Sequence, residues 1–154
     1  MKRDGFTLVE MLVVMLVMAL LATTVVLTAG GGGDGVGADA SRLASRIAAA
    51  RETAITSAQP VGMWVSRSGY GFDVRAGGTW RPADQKPFET VDWPAGTEVV
   101  AIAMPGGQAS LSSGRARLVF DNFGLPDSSM RLNVSRDGKS AQIEVLPNGD
   151  VKVQ

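Results

Sequence analysis

An α+β fold is predicted, in which an N-terminal apolar helix is followed by a glycine-rich break and then by a second helix packed on antiparallel β-sheets. Three observations point to it. The stretch GFTLVEMLVVMLVMALL at residues 5–21 is an apolar run with a single acid in it; six glycines fall between Gly30 and Gly37; and from Val61 onward the periodicity changes to short runs separated by turn residues. At 154 residues the chain is the size of one domain, and setting the apolar segment aside leaves enough to bury a modest core. The expected organisation is a short charged segment over 1–5, a transmembrane helix over 6–29, a linker over 30–37, and a head over 38–154 with a helix at 39–58 and β structure at 61–154.

From Met11 to Ala22 no side chain is polar, and after Thr23 and Thr24 the apolar character resumes through Leu27. As a helix, Phe6 to Ala29 spans about 36 Å at 1.5 Å per residue, enough to cross a hydrocarbon core of roughly 30 Å. Lys2 and Arg3 ahead of it favour a cytoplasmic N-terminus. A conventional cleaved signal fits poorly, because Ala22 and Ala29 are preceded by Leu20 and Leu27 where a second small residue is needed. An ordinary anchor explains the length but not Glu10, since an ionised group in a spanning helix costs about 2.5 to 3.5 kcal/mol at the centre and less near an end. Glu10 either snorkels to the headgroups or has a function there.

Each glycine in a helix interior costs about 1 kcal/mol, so Gly30, Gly31, Gly32, Gly33, Gly35 and Gly37 together disfavour a continuous helix by roughly 6 kcal/mol. They are read as a hinge on which the head tilts, in preference to a plain spacer. Asp39 or Ser41 can cap the next helix; Leu43, Ile47, Ala50 and Ala54 recur at helical spacing as its core stripe, and Pro60 ends the segment. Arg42, Arg46 and Arg51 are expected on a solvated face.

In the head, VGMWV and YGFDV flank SRSG as a hairpin, and TEVVAIAM and ARLVFD follow as strands separated by the polar loop PGGQASLSSG. MRLNVS, SAQIEVL and VKV are strands joined by RDGK and PNGD, whose Asp-Gly and Asn-Gly pairs favour tight turns. Leu132 and Val134, Ile143 and Val145, and Val151 and Val153 give one apolar face to this meander, which packs on the helix or on a second sheet. Trp64, Trp80, Trp93, Tyr70 and Phe72 are expected to be core or half-buried rather than a stacking surface for ligands. DNFGLPD lacks the regular ligand spacing of a calcium loop in Asp121, Asn122 and Asp127, and is read as a turn.

Basic and acidic residues balance at 15 each, so no long-range field draws in nucleic acid or an anionic surface. Cysteine is absent, which excludes disulfides, thiolate metal sites and a cysteine nucleophile. Histidine is absent too, removing the commonest general base and the commonest metal ligand. Ser112 and Ser113 therefore have no histidine to activate them, although a Ser-Lys arrangement needs none, and the spacing of Glu89 and Asp92 alone does not show that they converge. No catalytic residue, cofactor or metal is expected.

RDGFTLVEMLVVMLVMALLA closely resembles the leader and N-terminal helix of type IV prepilins and type II secretion pseudopilins: a charged leader ending in Gly5, then Phe6, then TLVE with an acid at the fifth mature position and an unbroken apolar helix. The order of AARETAITSAQPVGM, GYGF, LVFDNFGLPDSS and IEVLPNGDVKV is similar to the pseudopilin H family of type II secretion and its FimT-like relatives. The resemblance implies a type IV pilin-like fold, cleavage between Gly5 and Phe6 by a prepilin peptidase, N-methylation of Phe6 and retention of the helix. It implies that Glu10 pairs with the Phe6 amine of a neighbouring subunit during assembly. The glycine run departs from the usual family picture of one long helix.

The function so implied is that of a minor pseudopilin, anchored in the bacterial inner membrane by a single pass with a periplasmic head, which helps assemble or cap the pseudopilus that drives protein export. Its partners would be the other minor pseudopilins of I, J and K type, the major pseudopilin of G type, the assembly platform and the prepilin peptidase. The alternative is a FimT-like minor pilin of a type IV pilus or competence system that binds DNA. That reading needs a clustered basic surface, which a nearly neutral head ending in NGDVKVQ does not announce.

Overall fold

The computed structural model describes residues 35–103 and 114–154, together with Met11, Val13 and Met15. These last three are helical and exposed, their relative accessibilities running from 50% to 74%. No helix among the described residues is long and apolar enough to cross a membrane. Apart from those three, the apolar segment expected over 6–29 lies outside the described residues, as does most of the loop expected between TEVVAIAM and ARLVFD.

The head begins with helix α1, Val36–Ser57. It starts three residues before the position expected from its polar cap. Gly35, with extended backbone, occupies the cap, and its carbonyl accepts from the Ala38 and Asp39 amides. Neither Asp39 nor Ser41 caps: Asp39 lies in the first turn, where its charge suits the helix dipole, and Ser41 Oγ donates back to the Gly37 carbonyl. Burial of Val36 explains the earlier start, because an extra turn brings this side chain onto the stripe of Ala40, Leu43, Ile47, Ala50 and Ala54. The helix ends in a left-handed Ala58 just ahead of Pro60.

Among the described residues nine strands follow: β1 Val61–Ser66, β2 Gly69–Ala76, β3 Thr79–Pro82, β4 Val91–Asp92, β5 Glu98–Ala103, β6 Arg115–Phe120, β7 Met130–Arg136, β8 Lys139–Val145 and β9 Val151–Val153. All pairings are antiparallel. One sheet has the order β3-β2-β1-β6 with β4 also on β2, and the other the order β5-β7-β8-β9. The β1–β2 and β7–β8–β9 units are those expected from the sequence. Strands β3 and β4 were not expected, and β5 and β6, adjacent along the chain, enter different sheets.

Turn chemistry sets the registers. Asp137 and Gly138, at φ of 53° and 73°, form the two-residue loop between the paired Arg136 and Lys139, and Gly77 and Gly78 do the same between Ala76 and Thr79. The β1–β2 turn is closed by Ser66, whose buried Oγ accepts from the Gly69 amide and donates to the Gly69 carbonyl.

Helix α1 packs against β1 and β6 of the first sheet and against β7, β8 and β9 of the second. A single core results, with Leu43 and Ile47 meeting Met63, Phe72, Leu118 and Phe120 from one sheet and Met130, Leu132 and Ile143 from the other. Each large side chain fully buried there is stabilised by about 1.5–3 kcal/mol relative to exposure. The small Ala40, Ala50 and Ala54 let the helix backbone approach the sheets closely.

Candidate functional site

Gly5, Phe6, Glu10, Gly30, Gly31, Gly32 and Gly33 lie outside the described residues. Gly35 and Gly37 are placed: one caps α1 and the other is in its first turn, with open space around both Cα atoms. The site available in the head is therefore the way it grips the helix that leads to the N-terminal segment, together with its exposed faces.

In the N-terminal half of α1 the helix is tied by ions to β7 and to the segment before β4. Asp39 Oδ2 is 2.9 Å from Arg136 Nη1 on β7, and Oδ1 is 3.5 Å from Arg42 Nη1. Arg136 also donates to Thr97 Oγ1 at 3.3 Å. Arg46 donates to the Glu89 carbonyl at 3.2 Å and to Glu89 Oε1 at 3.1 Å, joining the helix to the segment before β4. The Arg46 guanidinium also lies 5.7 Å from the Tyr70 ring centroid, and Tyr70 packs on Trp93, whose indole N–H donates to the Ser66 carbonyl. A cleft of about 110 Å³ opens here between Asp39, Arg42, Arg46, Tyr70 and Trp93.

Burial pushes the Tyr70 phenol above its ordinary value of 10.0, against the opposing pull of Arg46. The fold therefore prefers the neutral phenol. This contribution is constant below the ordinary value and is lost as pH rises above it, where the unfolded chain ionises and the folded one resists. Tyr70 is the chain's single tyrosine, so the effect is separable. The urea midpoint is expected to fall further in the parent protein than in Tyr70→Phe between about pH 9 and about pH 11; equal falls would mean that the phenol ionises freely.

At the other end of α1, Arg51 Nε donates to the Gly124 carbonyl, Nη2 to the Asn148 carbonyl and Nη1 to Asp150 Oδ1, at 3.0–3.2 Å. Arg46 and Arg51 thus correct the expectation of a solvated arginine face: their side chains are 20% and 33% exposed and hold distant loops, whereas Arg42, at 62%, is solvated. The turn held by Arg51 is also braced by Asp121 Oδ1, which accepts from the Phe123 and Leu125 amides, and by Asp127 Oδ1, which accepts from the Val119 amide. Both acids serve the turn, as the sequence predicts. No cluster of acids that could hold a metal occurs among the described residues.

The aromatic residues divide between two faces. Tyr70 and Phe72 are core, with Trp93 half-buried beside Tyr70, while Trp64 and Trp80 are half-buried on the opposite side of the first sheet. Glu89 pairs with Arg46, and Ser112 and Ser113 lie outside the described residues. Sequence reasoning missed the grip of Asp39, Arg46, Glu89 and Arg136, for which no local signal exists.

Comparison with known proteins places this geometry. Residues 39–149 match the family model described as type II transport protein GspH, and residues 1–26 match the prokaryotic N-terminal methylation motif. The fold resembles the minor pseudopilin EpsH of the Vibrio cholerae type 2 secretion system, with a TM-score of 0.63 at 16% identity over 79% of this chain and 97% of that one. It also resembles Escherichia coli GspH, with a TM-score of 0.55 at 18% identity over 75% and 84% of the two chains. The type IV minor pilin FimU of Pseudomonas aeruginosa is similar too, with a TM-score of 0.55 at 14% identity over 77% and 87%. No curated protein matches the chain.

Proposed function

The chain belongs to the GspH family of type II transport proteins, and we propose that it acts as a minor pseudopilin, a structural subunit that helps assemble or cap the periplasmic filament of a type II secretion system. The observation that carries this reading is the presence in one chain of the methylation motif over 1–26 and the GspH match over 39–149. In this reading residues 1–5 are the leader, cleavage falls between Gly5 and Phe6, and the Phe6 amine is methylated. Residues 6–29 stay in the inner membrane as a single pass with the N-terminus cytoplasmic, and the head is periplasmic.

Glu10 then sets subunit register by pairing with the Phe6 amine of a neighbour, one helical turn from its own. Gly30–Gly33 are the hinge, with Gly35 and Gly37 belonging to the start of α1. The ionic grip of Asp39, Arg46, Glu89 and Arg136 has a use here: a force applied through the membrane helix enters the head at the start of α1 and passes into β7 and the segment before β4. The partners are other pseudopilins, namely the minor I, J and K types and the major G type, together with the assembly platform and the prepilin peptidase. The subunit does no chemistry of its own.

Intact mass and N-terminal analysis of the membrane-bound protein, with and without active prepilin peptidase, tests the reading. A peptidase-dependent, methylated Phe6 terminus is expected. A terminus at Thr23 or Gly30 instead means a conventional signal and no filament role for Glu10. The likeness to the minor pilin FimU favours a second reading, a minor pilin of a type IV pilus. Rescue of export in a strain lacking its own subunit separates the two, since a pilus subunit restores pilation and leaves export deficient.

A further inference from the structure

The solvent side of the first sheet carries a group of residues that the filament reading does not use. Cross-strand register places Trp64 of β1 opposite Gly71 of β2 and Arg117 of β6, and Trp80 of β3 opposite Arg75 of β2. Arg115 lies on the same side of β6, with Cζ 4.2 Å from the Trp64 ring centroid. Arg117 Cζ is 4.1 Å from the Trp80 centroid, and Arg75 Cζ is 6.0 Å from it. Glycines make the room: a Cβ at Gly71 would come within 2.5 Å of the Trp64 ring, and one at Gly62 within 2.8 Å of the Arg117 guanidinium. Three cations stand there, with Asp73 pairing with Arg117 at 3.3 Å and Asp92, opposite Gly69 on the same side, making no ion pair among the described residues. Among the described residues, Arg75 and Arg115 make no ion pair.

A guanidinium stacked on an indole is held flat, and its N–H donors project from the edge of the plane, where a carboxylate accepts two of them at once. Such arginines are ordered in advance, so less entropy is lost on binding. We propose that this arginine–tryptophan face docks an acidic segment of a protein partner, with carboxylates pairing in plane with Arg75 and Arg115. The excess of positive charge on the face favours an anionic occupant. Two observations favour a protein over a nucleic acid: the tryptophan rings already carry guanidiniums, so a base would have to displace one to stack, and the chain as a whole is neutral, so no wider field gathers a polyphosphate. The inference stands whether or not the chain enters a filament.

The test is fluorescence anisotropy with the full chain in a non-ionic detergent. The probes are a labelled peptide of alternating glutamate and glycine, its lysine counterpart, and a labelled oligothymidylate. The glutamate peptide is expected to bind, to weaken several-fold when salt is raised from about 50 mM to about 500 mM, and to lose on the order of tenfold in affinity in the Arg75→Gln, Arg115→Gln double variant. Both positions are at the surface, so the thermal midpoint should not move. No binding of the glutamate peptide, or equal binding by the double variant at an unchanged thermal midpoint, overturns the proposal. Tighter binding of the oligothymidylate through the same arginines also overturns it, by making the face a nucleic-acid surface.

Discussion

Ile47→Ala is expected to destabilise the head by about 2 to 5 kcal/mol, whereas Ile55→Ala, two turns along the same helix, should cost less than about 1 kcal/mol. The chemistry removed is identical. Ile47 is fully buried between the two sheets, so its truncation forfeits transfer energy and leaves a cavity that a helix already held close by alanines cannot collapse. Ile55 is 42% exposed, and alanine's better helix propensity returns a few tenths of a kcal/mol at either position. For a head of this size the Ile47 variant should melt on the order of 10 °C lower. Thermal unfolding of the two variants, followed by near-ultraviolet circular dichroism, checks this. Comparable losses at the two sites would mean that the helix does not present the Ile47 stripe to the sheets.

That stripe was legible in the sequence because helical period is a local signal: Leu43, Ile47, Ala50 and Ala54 could be read with nothing else known. The start of the helix was not, since Gly35 and Gly37 mark a break by propensity and only the tertiary burial of Val36 overrides them. The terminal meander was legible through its turns and its alternating faces. Strand β3 escaped because TWRP is short, mostly exposed and contains proline, although Gly77 and Gly78 were a usable hairpin signal. Strand β4 is two residues long and exists because Gly69 lets Val91 approach, a Cβ there meeting the Val91 carbonyl. Nothing in the period of β5 or β6 says which sheet each joins.

The site divides along the same line. The N-terminal methylation motif over residues 1–26 was readable because it is contiguous, and contiguity is what a sequence displays. The grip on α1 is the opposite case. Arg46 meets Glu89 across 43 positions, and Arg51 meets Asn148 across 97, so each arginine looks like an ordinary surface charge until the sheets are assembled. Trp64 lies between: alternation in VGMWV opposes it to Met63 and Val65 and so sends it to the outer face, but the arginines that stack there come from β6.

Glu10→Gln is expected to leave cleavage and membrane insertion intact while reducing incorporation into filaments by at least about tenfold. Two unit charges 4 Å apart attract by about 4 kcal/mol at an effective dielectric of 20, and the desolvation of both must be subtracted. A net remainder of only about 1.4 kcal/mol per contact already gives that factor. Glutamine keeps the shape and a hydrogen-bonding oxygen but not the charge, and it enters a bilayer more easily than a carboxylate. A defect in the variant therefore cannot be blamed on a failed anchor. Glu10→Asp should retain part of the function, because the charge survives on a shorter arm. The measurement is the fraction of processed subunit crosslinked to other pseudopilins in whole cells, normalised to its level in the membrane. Undiminished crosslinking of the glutamine variant would place Glu10 at the headgroups, snorkelling without a partner, and would leave subunit register to the apolar helix faces alone.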